Sequence, residues 1–258
     1  MLQNMLRAER YKRILNLINE RGVVSITELC EMFNASRATV RRDLAELDGE
    51  NLLERTHGGA VAVAKPTTAD IPLALRQHIQ KEEKMRIARA ALDYIEEGST
   101  VYLGTGTTAW EVAAQLHRYR QLTVLTNDIA VAMEVSSTKN QLIVAGGALK
   151  KTSSMTLLGH YAEHIMSELH VDITILSVDV VDLTHGFMDS NTNELSIKRL
   201  MIKNSRRCIM LCDHTKFNKS ALVTVCPFDG VDMLITDGAL DPNYRHKISE
   251  AGVEIVEC

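Results

Sequence analysis

The chain has no apolar run approaching the roughly 18 residues a membrane-spanning helix needs, so no helical span is expected. It has no paired-cysteine spacing. Its five cysteines, Cys30, Cys208, Cys212, Cys226 and Cys258, are scattered and odd in number. That fits reduced thiols in a cytosol rather than a disulfide framework. No signal-peptide core is expected in MLQNMLRAERYKRIL, which is too charged. It has no tandem repeat and no low-complexity tract. It also has no excess of positive charge: the net charge is −4, and residues 1–60 hold nine Lys/Arg against nine Asp/Glu. Bulk attraction to nucleic acid is therefore missing, and any DNA binding must come from a local basic surface.

What is present is enough chain for two domains, 258 residues. Tyr11, Ile14, Leu15 and Ile18 repeat at helical spacing and predict an amphipathic helix over residues 7–20. Ser25, with Glu28 three residues on, is a capping-box pattern, and Ile26, Leu29 and Phe33 line one face of a second helix. Ser36 is the expected N-cap of a third, whose inward face is Val40, Leu44 and Leu47. At 3.6 residues per turn, Ala38, Arg42 and Ala45 then point away from that face, with Arg37 and Arg41 on one flank and Thr39 on the other. Small residues between arginines let a helix backbone approach a DNA groove. Residues 52–61, with a polar turn and Gly58-Gly59, read as a β-hairpin wing. Arginines on one exposed helix face are usually only solvated; trihelical spacing plus a wing is what turns the reading toward DNA.

Arg10, "ASRATVRRDLAEL" and "LLERTHGGAV" resemble the DNA-binding domain of the DeoR family of bacterial regulators of sugar metabolism. The resemblance implies DNA contacts from Ser36, Arg37, Thr39, Arg41 and Arg42 on the third helix, and from Arg55, Thr56 and His57 in the wing. One departure is Asn51, where the family usually has glycine before the wing; asparagine tolerates the left-handed backbone.

Residues 61–72, VAVAKPTTADIP, have no periodic apolar face and read as a linker. Beyond them, apolar strands alternate with helices, which predicts an α/β domain with a largely parallel sheet. Strands are expected near residues 100–103, 122–125, 141–145, 173–178, 208–212, 222–225, 233–236 and 253–256. Helices are expected near 84–95, 109–116, 161–169, 193–204 and 243–251.

Chemistry belongs where strands end and helices begin. The best candidate is the turn Gly104, Thr105, Gly106, Thr107 and Thr108. Its glycines free backbone N–H groups and its hydroxyls add donors for an anion. No Gly-Lys-Ser/Thr follows, so it is not a P-loop, and only the first Gly-x-Gly of a dinucleotide fingerprint is present. "YLGTGTTAWEVAAQL" resembles the phosphate loop shared by DeoR-family sensor domains and ribose-5-phosphate isomerases. "LTVLTND", "IVAGGAL", "LLGHYAE", "IKRLM" and "LCDHTKFN" follow in the family's order. The resemblance implies a bound phosphorylated sugar or sugar-acid effector at residues 104–108, Thr126, Asn127, Gly146, Gly147 and Lys216, the last supplying a cation. Many relatives have aspartate at Gly104 and a Gly-Ala-Asp-Gly-like turn at residues 177–182, where this chain reads SVDVVD. These departures point to a different ligand headgroup, such as a sugar acid or its phosphate.

Two rival functions follow from other residues. Asp179, Asp182 and Glu194 are candidate bases for a sugar-phosphate isomerase with an appended DNA-binding domain, but they form no isomerase-type acidic cluster. Cys208, Cys212, Cys226 and His214 could border a metal site, but buried thiols are the commoner explanation, and the nine histidines show no ligand spacing. The single tryptophan, Trp110, and the methionines read as core.

The expected architecture is an α+β two-domain chain. It has an N-terminal winged helix-turn-helix (residues 1–60), a linker (61–72) and a C-terminal α/β sugar-phosphate-isomerase-like sensor domain (73–258). The expected protein is a cytoplasmic, non-enzymatic regulator, commonly a repressor of carbohydrate use. Its expected partners are double-stranded operator DNA, a phosphorylated effector and further copies of itself as dimer or tetramer. No cofactor, metal or membrane is expected.

Overall fold

A computed structural model describes residues 7–49, 52–62, 76–77, 79–150 and 155–258. They divide into two units, one ending at Ile79 and one beginning at Gln80.

The first unit runs α1 (Arg7–Arg21), β1 (Val23–Ser25), α2 (Ile26–Phe33), α3 (Arg37–Gly49), β2 (Glu54–Arg55) and β3 (Gly59–Val61). The helical positions read from the sequence meet in one core: Tyr11, Ile14, Leu15 and Ile18 of α1, Ile26, Leu29 and Phe33 of α2, and Val40, Leu44 and Leu47 of α3. Ser25 Oγ accepts from Glu28 N at 3.1 Å and caps α2. The Glu28 carboxylate pairs with Arg21 at 2.7 Å instead of closing the box. Asn34 ends α2 in the left-handed region, φ 47°. Ser36 Oγ accepts from Thr39 N at 3.2 Å and opens α3.

The wing differs from a simple hairpin. β1 joins it, giving an antiparallel sheet in the order β1-β3-β2. This explains Gly59 differently from the sequence reading. Neither Gly58 nor Gly59 is among the positive-φ glycines. A Cβ on Gly59 would lie 1.9 Å from Val24 O, so glycine is needed because two backbones touch. Val61 completes β3. Asn51 and the segment read as a linker beyond Ala62 lie outside the described residues.

The second unit opens with α4 (Lys81–Leu92), then β4 (Thr100–Leu103), α5 (Thr107–Ala114), β5 (Thr123–Thr126), α6 (Ile129–Ser136) and β6 (Gln141–Val144). A small pair follows, β7 (Ala148–Lys150) and β8 (Thr156–Leu158), then α7 (His160–Glu168) and β9 (Val171–Ser177). Next come β10 (Val180–Asp182), β11 (Gly186–Asp189), α8 (Leu195–Lys203), β12 (Ser205–Cys212) and β13 (Val223–Cys226). The chain closes with β14 (Met233–Thr236), α9 (Pro242–Glu250) and β15 (Glu254–Glu257). Seven strands form one sheet in the order β15-β14-β12-β9-β4-β5-β6, and every neighbouring pair is parallel.

Side chains alternate across this sheet with period two. Val101, Leu103, Ile173 and Ile175 pack on one face with Ile87 of α4, Val112 of α5 and Val131 of α6. Tyr102 and Leu176 pack on the other with Met166 of α7, Ile197 of α8 and Ile248 of α9. Both faces are thus covered, as an all-parallel sheet requires.

The strand expected near residues 222–225 forms as β13, but outside the main sheet: it pairs antiparallel with β11 in a separate sheet, β10-β11-β13. One expectation is corrected. Residues 177–182 are not a turn, since Ser177 ends β9 and β10 begins at Val180. The turn lies after them. Asp182 Oδ1 accepts from Thr184 N and His185 N, both at 2.8 Å, and Gly186 follows at φ 80°. Short, isolated apolar pairs gave no period from which this hairpin could be read.

Candidate nucleic-acid interface and effector site

In the first unit, Ile26 of α2, Arg41 of α3 and Arg55, Thr56 and His57 of the wing line one open hollow of about 410 Å³. Thr56 N donates to Gly59 O at 3.0 Å, which folds the wing turn. Arg55 N donates to Asp48 Oδ1 at 3.1 Å, which ties the wing strand to the end of α3. Arg37, Arg41 and Arg42 are all exposed. Arg37 Nη2 donates to Thr27 Oγ1 at 3.1 Å, so this guanidinium leans toward α2. Ser36 and Thr39 share a hydroxyl contact at 3.0 Å at the start of the helix.

The third residue of the Arg41-Arg42-Asp43 run faces the other way. Asp43 is buried and receives Arg10 Nε at 2.7 Å and Nη2 at 3.1 Å. That hydrogen bonding, against some desolvation, raises the Arg10 guanidinium further above its usual value. Tyr11 OH adds a bond to Glu46 at 2.5 Å. The first helix is thereby clamped to the third by polar as well as apolar groups.

In the second unit the sequence-predicted effector residues gather at the C-terminal edge of the parallel sheet. Gly104 follows β4, Thr126 ends β5, Gly146 and Gly147 follow β6, and Lys216 follows β12. Sheet order and parallel direction set the ends of β4, β5 and β6 side by side, with that of β12 one strand farther along, beyond β9. Thr107 and Thr108, read as loop, form the first turn of α5, with Gly106 before it at φ 105°. Gly104 has a packing reason: a Cβ there would meet Leu176 Cδ2 at 2.7 Å. Leu176 therefore fills the space an aspartate at this position would enter. Gly147 likewise lies where a Cβ would be 2.5 Å from Leu158 O, while nothing approaches Gly146.

The polar side chains here are committed to one another. Asn127 accepts from Tyr102 OH at 2.8 Å and donates to Leu157 O at 3.0 Å. Burial, with the Glu194 and Asp128 charges nearby, pushes the Tyr102 phenol up. Thr126 Oγ1 accepts from Asp128 N at 3.1 Å. Asp128 caps α6 through Ala130 N and Val131 N, at 2.8 and 3.2 Å. Burial raises its carboxyl despite these donors and the Gly106 N–H. Lys198 of α8 is buried, giving its ammonium to Asp189 at 2.6 Å and to Ser177 O at 2.9 Å. Burial opposes that charge, but Asp189, Glu194 and Asp179 outweigh it and raise the ammonium. The Lys216 cation acts on two carboxylates, the half-buried Asp179 and the buried Asp213. Burial pushes both up, but the Lys216 cation and local hydrogen bonds more than offset it and hold both below the usual range.

Sequence reasoning missed Lys198 as part of this edge. The available signal was a lysine at an inward helical position, beside Ile197 and three residues before Met201. The cysteines Cys208, Cys212 and Cys226 are buried, and burial pushes the Cys226 thiol up to about 12. Among the described residues no group of three His, Cys, Asp or Glu could hold a metal ion, and no helix is long and apolar enough to cross a membrane.

Comparison with known proteins assigns both units. Residues 10–65 match the DeoR-like helix-turn-helix domain and residues 79–238 match the DeoR C terminal sensor domain. The chain is 32% identical to the HTH-type transcriptional regulator GlpR of Haloferax volcanii, covering 98% of each. It is 31% identical to the glycerol-3-phosphate regulon repressor of Escherichia coli K12, covering 98% of this chain and 100% of that one. It is 36% identical to the transcriptional repressor AccR of Agrobacterium fabrum, covering 89% of each. These relatives are regulators, and they lend nothing to an isomerase reading of Asp179, Asp182 and Glu194. The chain belongs to the DeoR family of DNA-binding transcriptional regulators, with a helix-turn-helix unit followed by a sensor unit.

Proposed function

We propose that this regulator is a cytoplasmic repressor of a carbohydrate-utilisation operon, released from its operator by a phosphorylated sugar or sugar acid. Residues 1–60 bind DNA, residues 61–72 link, and residues 73–258 sense the metabolite. The observation that carries the DNA half is the hollow shared by Arg41, Arg55, Thr56 and His57. One helix and one wing offering cations to the same space suits a groove flanked by phosphates. Ser36, Arg37, Thr39 and Arg42 extend this surface along the exposed start of α3. Two-fold operators match two-fold proteins, so a dimer or tetramer is the working form.

In this reading the ligand phosphate sits at residues 104–108. Thr126, Asn127, Gly146 and Gly147 shape the adjoining edge, and Lys216 supplies the cation. The positive end of α5 and the loop N–H groups favour an anion there. The relatives named as repressors, one of them of a glycerol-3-phosphate regulon, support both the direction of control and a phosphorylated ligand. Effector and DNA are then coupled by unequal affinity for two states of the chain.

A thermal-shift screen tests the sensor half. Sugar phosphates and sugar-acid phosphates are compared with their unphosphorylated counterparts. A ligand at 100 times its Kd adds about 2.7 kcal/mol, a shift of roughly 5–10 °C for a domain of this size. A shift that requires the phosphate supports the reading. A shift from unphosphorylated acids only overturns the phosphate part and leaves DNA binding untouched.

A further inference from the structure

The loop proposed to receive the effector phosphate already holds an anion of the protein's own. Thr105 Oγ1 donates to Glu194 Oε2 at 2.5 Å, and Thr156 Oγ1 donates to Glu194 Oε1 at 3.2 Å. Both threonines are buried. One belongs to the turn after β4 and the other to β8, so a single carboxylate bridges two separate elements. A hydroxyl has one proton to give. Thr105 therefore cannot donate to a phosphate while it donates to Glu194. A phosphate beside an ionised Glu194 also meets like charge at short range.

Glu194 holds the N-cap position of α8, but its side chain makes no capping bond to its own helix. It reaches to the loop instead. The helix it heads is tied to several parts of the unit. Lys198 joins Asp189 and Ser177 O, Arg199 donates to Val225 O at 3.1 Å and to Thr224 O at 2.7 Å, and Ser196 Oγ donates to Glu163 at 2.6 Å. A change in where Glu194 sits is thus a change at the head of a helix that touches β9, β11, β13 and α7.

We propose that Glu194 is the resident occupant of the anion cradle and that a phosphorylated ligand binds by displacing its carboxylate from Thr105 and Thr156. This rests on the effector reading given above. It adds a specificity rule: only a ligand whose anionic group replaces the carboxylate on both hydroxyls is sensed, and a neutral sugar is not. It also supplies the trigger, because the freed Glu194 releases the start of α8.

The test titrates inorganic phosphate into the full chain by calorimetry at constant ionic strength, for wild type, Glu194→Gln, Glu194→Ala and Thr105→Val, with circular dichroism to confirm folding. Removing the resident charge is expected to tighten phosphate binding at least tenfold in both Glu194 variants. Adding Thr105→Val to Glu194→Gln is expected to abolish the gain. Equal or weaker binding in folded Glu194→Gln and Glu194→Ala overturns the displacement proposal. If wild-type binding is at the same time lost in Thr105→Val, the effector reading survives that failure. If neither wild type nor folded Glu194 variants bind phosphate, both fall.

Discussion

Arg10 grips Asp43 from two sides, with Nε at 2.7 Å from one carboxylate oxygen and Nη2 at 3.1 Å from the other. Asp43 is 2% exposed and sits within the arginine-rich start of α3. The pair fixes the rotation of α3 about its own axis, because Asp43 shares the inward face with Val40, Leu44 and Leu47. Arg41 and Arg42 are turned outward as a consequence. Losing the Asp43 side of this part-buried, bidentate pair removes charge-assisted hydrogen bonds and costs about 1.5–3 kcal/mol. Asp43→Ala is expected to lose stability of that order in urea unfolding of the helix-turn-helix unit, with operator binding lost alongside. A loss under about 1 kcal/mol, as for a surface pair, would contradict the clamp.

Arg41 and Arg55 face the same hollow from different elements and should fail differently. Arg41→Ala is expected to lose about 1–3 kcal/mol of operator affinity with relaxed preference at one base position. Arg55→Ala is expected to weaken binding evenly across sequences and to lower the salt slope by about 1. Both side chains are exposed, so melting temperatures should not move. Anisotropy titrations at several salt concentrations separate the two patterns.

The two adjacent glycines of the wing are expected to behave unlike each other. Gly59→Ala drives a Cβ to 1.9 Å from Val24 O, and backbone cannot turn aside as a side chain can. It should cost about 1–3 kcal/mol or more, as overpacking does. Gly58→Ala has nothing within 4 Å and no positive φ, and should be near neutral. Chemical denaturation of the two variants checks the contrast, and equal losses would refute it.

Asp179 and Asp213 link the sensor unit's stability to acid. Both are held below the usual carboxylate range: burial pushes up, and the Lys216 cation with neighbouring hydrogen bonds pushes further down. Their contribution is therefore present above the unfolded value, about 3.9, and is lost as pH falls through the lower folded values. Lys216→Met removes the shared cation and should move the acid transition of this unit to higher pH. Far-UV circular dichroism followed from pH 7 downward reads the midpoint, and an unmoved midpoint would deny the coupling.

The parts of this fold legible in the sequence are those with a period. The three helices of the first unit carry apolar residues three and four apart, and the main sheet carries alternating or continuous apolar strands separated by turn residues. What escaped is short or non-local. β1 is three residues long and has meaning only against β3. β10 and β11 are a short hairpin whose partner, β13, lies far along the chain. Asp43 reads as one more surface charge until Arg10 is placed beside it. Glu194 reads as one of three candidate bases, and nothing local says that Thr105 and Thr156 converge on it. The glycine at position 59 was legible as necessary, but its cause, a touching backbone, was not.

Selection of binding sites from random duplex DNA tests the central claim most directly. The full chain and its Arg41→Ala variant would each be carried through the same rounds at fixed salt, and the enriched sequences compared. Wild type is expected to enrich a paired half-site motif, with Arg41→Ala enriching the same motif relaxed at one base position in each half. No enriched motif from folded wild-type protein, or an identical motif from the variant, would contradict the account that α3 and the wing read an operator through this hollow.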